Sequence, residues 1–118
     1  MAANPATPSS ELHIEKESTP QQTIFHCIGK VNASTSALLQ TMVRDVIPQK
    51  RPIVLDLSQV SYMDSSGLGA LVSVWASARR NGVELKLASL SERVKELLHL
   101  TSLDKLFAIS RFPDTPSF

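Results

Sequence analysis

The chain has 118 residues, 42% of them hydrophobic, and its formal net charge is +1 at pH 7. This length suits one ordinary domain that buries a core without disulfide bonds. Because 12 basic residues nearly balance 11 acidic ones, charge gives no reason to expect direct nucleic-acid binding. The single cysteine, Cys27, excludes a disulfide within the chain, and its apolar neighbours indicate a buried thiol.

The two ends of the chain differ in composition from the segment between them. Residues 1–10 are rich in Ala, Pro, Ser and Thr and are predicted to form a disordered tail, and residues 113–118 a loose C-terminal tail. We expect a single domain over residues 11–112. The chain shows no secretory signal pattern and no apolar run near the ~20 residues that span a bilayer, so we expect a cytoplasmic protein without membrane insertion.

The first third of the domain predicts two strands and a helix. Polar and apolar residues alternate over 12–15, and a second strand follows over 23–28, so the two should form a hairpin. Apolar residues at helical spacing predict a helix over 34–47, with Ser34 or Thr35 as its N-cap.

The middle of the chain predicts a strand, a helix and another strand. The nearly continuous apolar run 52–57 is typical of a central strand covered on both faces. A second helix is predicted to begin at Ser65 or Ser66 and to stop at Gly82. Clean alternation over 83–87 predicts the next strand. We expect the buried stripe of the second helix to comprise Leu68, Leu71, Val72, Trp75 and Ala76.

The last elements complete an alternating pattern. A third helix is predicted after a cap at Ser89 or Ser91, then a helical turn over 101–104 and a short strand over 107–109. The order β-β-α-β-α-β-α-β predicts an α/β fold with a mixed sheet of four to five strands. Its strands should begin with an N-terminal hairpin and continue in parallel, with the helices mainly on one face.

The most informative stretch runs from Val54 to Leu71 and reads VLDLSQVSYMDSSGLGAL. A buried strand ends, a short loop follows, and Asp-Ser-Ser-Gly opens a helix whose first N–H groups have no internal partner. A hydroxyl there can accept a phosphate, which adds about 1.5 to 2 negative charges beneath any docked protein. The residues alone also allow a purely structural role, with Asp-Ser-Ser as an N-cap and Gly67 and Gly69 as points of close helix packing.

Catalytic and metal-binding patterns are incomplete. A dinucleotide-binding loop would need glycine where the chain has Val72, and a hydrolase nucleophile elbow would need it at Met63. The three histidines are dispersed, and the adjacent His26 and Cys27 point to opposite faces of a strand. Asp56 is expected to be satisfied by a turn at the end of its strand, and a carboxylate site there has no second partner within reach along the sequence. We therefore predict no catalytic residue, metal or cofactor.

The same stretch resembles the signature of the STAS domain, in particular of bacterial anti-sigma-factor antagonists. Those proteins carry a V-L-D-L strand, a loop ending in F-M-D-S-S-G, and then L-G and a helix. The likeness extends over most of the chain, because Gly29-Lys30-Val31-Asn32 occupies the place of the family's G-E-L-D and the helix around 94–98 also fits. The resemblance implies a STAS fold over residues 11–112.

The resemblance also implies a phosphorylation switch at Ser65. In that family an anti-sigma factor with serine kinase activity phosphorylates this serine. The unphosphorylated form binds the kinase and frees a sigma factor for transcription, and a PP2C-type serine phosphatase restores it. We expect a monomer or weak dimer and no enzyme activity. The partner-binding residues implied by the resemblance are Lys30, Asn32, Ser34, Thr35, Met63, Asp64, Ser66 and Gly67.

Two positions depart from the family pattern. Lys30 and Asn32 stand where the family usually has acidic residues, which removes negative charge beside Ser65, so recognition by the kinase can differ. Two other functions remain open. One is a non-switching STAS adaptor or scaffold subunit of a signalling or lipid-transport complex. The other is a small hydrolase or nucleotide-processing enzyme, although the chain lacks a phosphate-binding loop and a base near the serine.

Overall fold

The computed structural model describes the backbone of residues 11–110 and the side chains of residues 11–107. The predicted tails at 1–10 and 113–118 lie outside the described residues, so the domain boundaries stay predictions. Short 3-10 turns at Ile47–Gln49 and Leu103–Lys105 follow the first and third helices. The elements in chain order are β1 (Leu12–Ser18), β2 (Thr23–Val31), α1 (Ser36–Val46), β3 (Ile53–Met63), α2 (Ser65–Arg80), β4 (Leu85–Ala88), α3 (Glu92–Leu100) and β5 (Ala108–Ser110).

The five strands form one mixed sheet in the order β1-β2-β3-β4-β5. β1 and β2 form an antiparallel hairpin, and every later pair is parallel, as crossovers through helices require. Phe25, Leu55 and Leu87 from the three central strands share a core with Leu39 of α1 and Leu98 of α3. The helices therefore cover one face of the sheet, and the predicted α/β class with an N-terminal hairpin is confirmed.

β3 is nearly twice as long as the predicted strand over 52–57. After Leu57 it continues to Met63 along the second half of β2, across an irregularity in register between His26 and Ile28. The sequence did not predict this extension because most of its residues are polar, and only Val60 and Met63 are buried within it. The extension matters for function because it carries the end of β3 to the end of β2.

The buried face of α2 differs from the predicted stripe. Of the expected residues only Leu71 is fully buried. Leu68, Val72 and Trp75 are partly buried at the flanks of the core, and Ala76 is also only partly buried. Small residues face the sheet because the helix lies close to it. The predicted stripe was based on hydrophobicity, which selects larger side chains such as Trp75. The buried residues of the helix are Gly67, Ala70, Leu71, Val74, Ser77 and Ala78.

Cys27 is buried on the core side of β2, as predicted. Burial raises the pKa of its thiol to about 12, so the thiol stays protonated at neutral pH. Since the thiolate is the reactive form, Cys27 acts as a small apolar side chain in the core. Among the described residues, none of the helices has the length and apolar character that a bilayer crossing requires.

Candidate functional site

The amino end of α2 combines an exposed serine with a carboxylate cap. Asp64 is the N-cap, and its Oδ1 accepts the backbone N–H of Ser66 at 2.9 Å and that of Gly67 at 3.2 Å. These bonds satisfy two of the N–H groups that a helix start leaves unpaired. Ser65, the first residue of the helix, is exposed, and within residues 11–110 its hydroxyl makes no hydrogen bond. Asp64 therefore caps the helix, as the structural interpretation of this motif expected, and the Ser65 hydroxyl stays accessible.

Gly67 allows the start of α2 to lie against the ends of two strands. A Cβ on Gly67 would lie 2.5 Å from the carbonyl oxygen of Val31 and 2.7 Å from Cγ of Met63, both far inside normal contact. The prediction of close packing is confirmed here. It is wrong for Gly69, which is exposed and whose added Cβ would meet nothing within 4 Å.

The loop from β2 to α1 is built by its own hydrogen bonds. The hydroxyl of buried Thr35 donates to the carbonyl of Lys30 and accepts the N–H of Asn32, both at 2.9 Å. The side-chain oxygen of Asn32 accepts the N–H of Ser34 at 2.9 Å, and its amide donates to Glu11 at 3.2 Å. Thr35 is the N-cap of α1 by position, but its side chain organises the loop and makes no cap bond.

The loop lies beside Ser65 because the ends of β2 and β3 are paired. Val31 is in register with Met63, and the N–H of Asp64 donates to the Val31 carbonyl at 3.4 Å. The structure thus brings together the residues singled out from the sequence, but at different depths. Lys30, Ser34 and Ser65 are exposed; Asn32, Asp64 and Ser66 are half-buried; Thr35, Met63 and Gly67 are buried.

Sequence reasoning missed an exposed aromatic residue next to this site. Tyr62, 39% exposed, pairs with Lys30 across β2 and β3, and the guanidinium of Arg93 lies 5.7 Å from the centre of its ring. Tyrosine and arginine are enriched among the residues that dominate protein interfaces. The position of Tyr62 three residues before Ser65 was a usable signal, whereas Arg93 comes from α3 and could not be found without the fold.

The site offers a hydroxyl and a helix terminus, and little else for chemistry. Oδ1 of Asp64 accepts two backbone N–H groups, and among the described side chains no hydrogen bond joins Asp64 to the Ser65 hydroxyl. Over residues 11–110, no group of three His, Cys, Asp or Glu side chains is arranged to hold a metal ion. The arrangement can receive a phosphoryl group and present it to a docked protein.

Comparisons with known proteins agree on one family. A family model described as the STAS domain matches residues 13–115. The anti-sigma-B factor antagonist of Listeria monocytogenes is 36% identical over 100 residues, which cover 83% of this chain and 86% of the relative.

Two solved structures show the same fold. An anti-sigma factor antagonist from Mycobacterium paratuberculosis matches with a TM-score of 0.75 and 20% identity, over 99% of this chain and 92% of that one. The Bacillus cell fate determinant SpoIIAA in its phosphorylated form matches with a TM-score of 0.65 and 16% identity, over 83% and 91%. With the family model covering most of the sequence and a relative matched along most of its length, the chain belongs to the STAS-domain family.

Proposed function

We propose that the protein is an anti-sigma-factor antagonist, a cytoplasmic binding module of the STAS family that is switched by phosphorylation of Ser65. When unphosphorylated it binds an anti-sigma factor with serine kinase activity and so releases a sigma factor for transcription. The single observation that carries the proposal is the exposed Ser65 hydroxyl at the capped amino end of α2, beside the loop from β2 to α1.

The similar proteins support the partner and the modification. The Listeria monocytogenes relative is an anti-sigma-B factor antagonist, and its similarity covers most of both chains. The Bacillus protein SpoIIAA, which shares the fold, has been solved in a phosphorylated form. An anti-sigma factor is therefore the partner class that fits this chain, and a phosphorylatable serine is compatible with the fold.

The chemistry of the switch needs no catalytic group from this chain. As the Ser65 oxygen bonds to the γ-phosphorus of ATP, the bond to ADP breaks, and a base of the kinase takes the hydroxyl proton. A PP2C-type serine phosphatase reverses the change when water takes up the phosphoryl group and inorganic phosphate leaves. The protein itself would be a binding partner and not an enzyme, because among the described side chains no base is hydrogen-bonded to the Ser65 hydroxyl.

Phosphate at Ser65 would oppose binding through charge and bulk. It adds about 1.5 to 2 negative charges and three acceptor oxygens on an exposed surface. A partner that closes over the phosphate would strip it of water, and burying a charge without a matched partner costs several kcal/mol, which is enough to weaken binding strongly. Lys30 and Asn32 reduce the negative charge around Ser65 relative to the family pattern, so we expect the facing surface of the partner to carry correspondingly less positive charge.

Phosphorylation in the source bacterium tests the proposal. Tagged wild type and the Ser65→Ala and Ser66→Ala variants would be purified from cells in several growth and stress states, then analysed by phosphate-affinity electrophoresis and mass spectrometry. We expect phosphoserine at residue 65 in wild type and in Ser66→Ala, and none in Ser65→Ala. Equal labelling of Ser65→Ala would contradict the assignment. Absence of phosphoserine from wild type in every state would instead favour a non-switching adaptor.

A further inference from the structure

The face of the sheet opposite the helices carries a histidine between two carboxylates. Nδ1 of His26 lies 2.7 Å from an Asp56 carboxylate oxygen, and Nε2 lies 2.9 Å from one of Glu17. His26 alternates along β2 with the core residues Phe25 and Cys27, so its ring lies on the other face. The three groups come from three adjacent strands, since Glu17 belongs to β1 and Asp56 to β3.

This geometry suits a ring that carries a proton on both nitrogens. A neutral imidazole has one N–H donor and one lone pair, so it can donate to only one of the two carboxylates. The other ring nitrogen would then face a carboxylate oxygen with no proton between them. Two contacts this short therefore call for the imidazolium form. Consistent with this, the hydrogen bonds that the ring donates to Glu17 and Asp56 raise the pKa of His26 above its ordinary value of 6.5, against the opposing effect of burial.

We propose that His26 is a proton-dependent clamp that joins β1, β2 and β3 while both ring nitrogens are protonated and releases Glu17 when one proton leaves. Glu17 is the partner released because its side chain is 56% exposed and water can replace the ring. The Asp56 side chain is only 13% exposed and also accepts the N–H of Ser58 at 3.0 Å, so it retains the remaining ring N–H.

The other charged groups on this face have opposite effects on the imidazolium, because one is an anion and one is a cation. Glu15 lies directly opposite His26 on β1, and its carboxylate is 3.2 Å from Nε2 of His13. On β4, Lys86 lies beside Val54 on the same face, where its positive charge opposes protonation of the ring. Glu15, Glu17, Asp56 and Lys86 all belong to strands of the sheet.

The direction of the pH effect follows from the histidine being easier to protonate in the folded protein. The clamp contributes its full stabilisation below the unfolded value of 6.5, and the contribution is lost as the pH rises through the higher folded value. Among the described strands β1 lies at the edge of the sheet and pairs only with β2, so it loses a contact when the proton leaves.

Titration of the full chain tests the clamp. Two-dimensional NMR of the imidazole nitrogens should show His26 protonated at both nitrogens at low pH, with a midpoint above 6.5. Between about pH 6 and about pH 8 the wild type should lose several degrees more in Tm than Glu17→Gln, since glutamine cannot stabilise the imidazolium in the same way. His99→Gln is the matched control, because the exposed His99–Asp104 pair begins on α3, so its loss leaves the groups around His26 in place.

Two results would overturn the proposal. One is a His26 midpoint at or below 6.5 in the wild type. The other is a pH dependence of Tm in Glu17→Gln as steep as that of the wild type. Because Glu17 is largely exposed, the variant is expected to fold, so either measurement gives an answer.

Discussion

The two glycines on the first turns of α2, Gly67 and Gly69, have different structural roles although the sequence predicted the same role for both. Both were predicted to allow close packing, because both follow the serines at the helix start. Only Gly67 faces the strand ends, where the Val31 carbonyl and the Met63 side chain occupy the space of a Cβ. Gly69 is turned to solvent, and nothing in its sequence neighbourhood distinguishes it. The difference arises from the depth at which the helix is docked on the sheet.

Replacing each glycine by alanine should therefore give opposite results. Gly69→Ala should raise the free energy of unfolding by about 0.5 to 1 kcal/mol, because alanine loses less backbone freedom in a helix. Gly67→Ala gains the same propensity but must displace backbone, and overpacking of this kind costs about 1 to 3 kcal/mol. Urea denaturation of both variants measures the difference. Equal stabilisation of the two proteins would mean that the helix start is not held against Val31.

At the scale of elements, local signals predicted where α2 begins and could not predict its buried face. Asp64 and Ser65 mark the start through cap chemistry that depends only on neighbouring residues. The buried face depends on the distance between helix and sheet, which favours small residues such as Ala70 and Ala78 over Trp75. The extension of β3 was missed for a similar reason, because its pairing with β2 compensates for a polar sequence.

Two leucines of α2 test the corrected face with the same substitution. Leu71 is fully buried in the core, whereas Leu68 is only partly buried at its edge. Leu71→Ala should lower the free energy of unfolding by about 2 to 5 kcal/mol through lost contacts and a cavity. Leu68→Ala should cost less than half as much, because its site opens to solvent and leaves a smaller cavity. Chemical denaturation of both variants gives the comparison. An equal loss in the free energy of unfolding would mean that Leu68 is buried as deeply as Leu71, as the hydrophobicity pattern predicted.

At the scale of the whole molecule, the sheet brings together residues that no sequence window contains. Asp56 was predicted to be satisfied by a turn, and the N–H of Ser58 does bond to it. Its bond to His26 spans thirty positions and depends on the parallel register of β2 and β3, so it could not be predicted. Ser65 could be singled out because its motif is local and resembles a known family signature. Its surroundings, with Lys30 and Tyr62, required the sheet.

The fold also predicts that the switch at Ser65 works without refolding. The residues that hold the site are bonded to backbone on both sides: Asp64 to the N–H groups of α2, and Thr35 to the loop after β2. A carboxylate at position 65 gains about 0.3 to 1 kcal/mol from the helix dipole, and repulsion from Asp64 offsets part of that gain. The free energy of unfolding of Ser65→Glu should therefore stay within about 1 kcal/mol of wild type.

Binding should respond quite differently to the same variant. The anti-sigma factor that co-purifies with Ser65→Ala from the source bacterium is the probe, and calorimetry should show at least about tenfold weaker binding to Ser65→Glu, because an added charge at a docked surface is costly. Ser65→Ala adds no charge and serves as the control that keeps binding. If Ser65→Glu lost several kcal/mol of stability along with its partner, the switch would act by disrupting the domain. In Ser65→Glu the affinity for the partner should fall while the free energy of unfolding stays nearly unchanged. The reason is that the exposed Ser65 side chain can contact a docked partner but does not pack in the core.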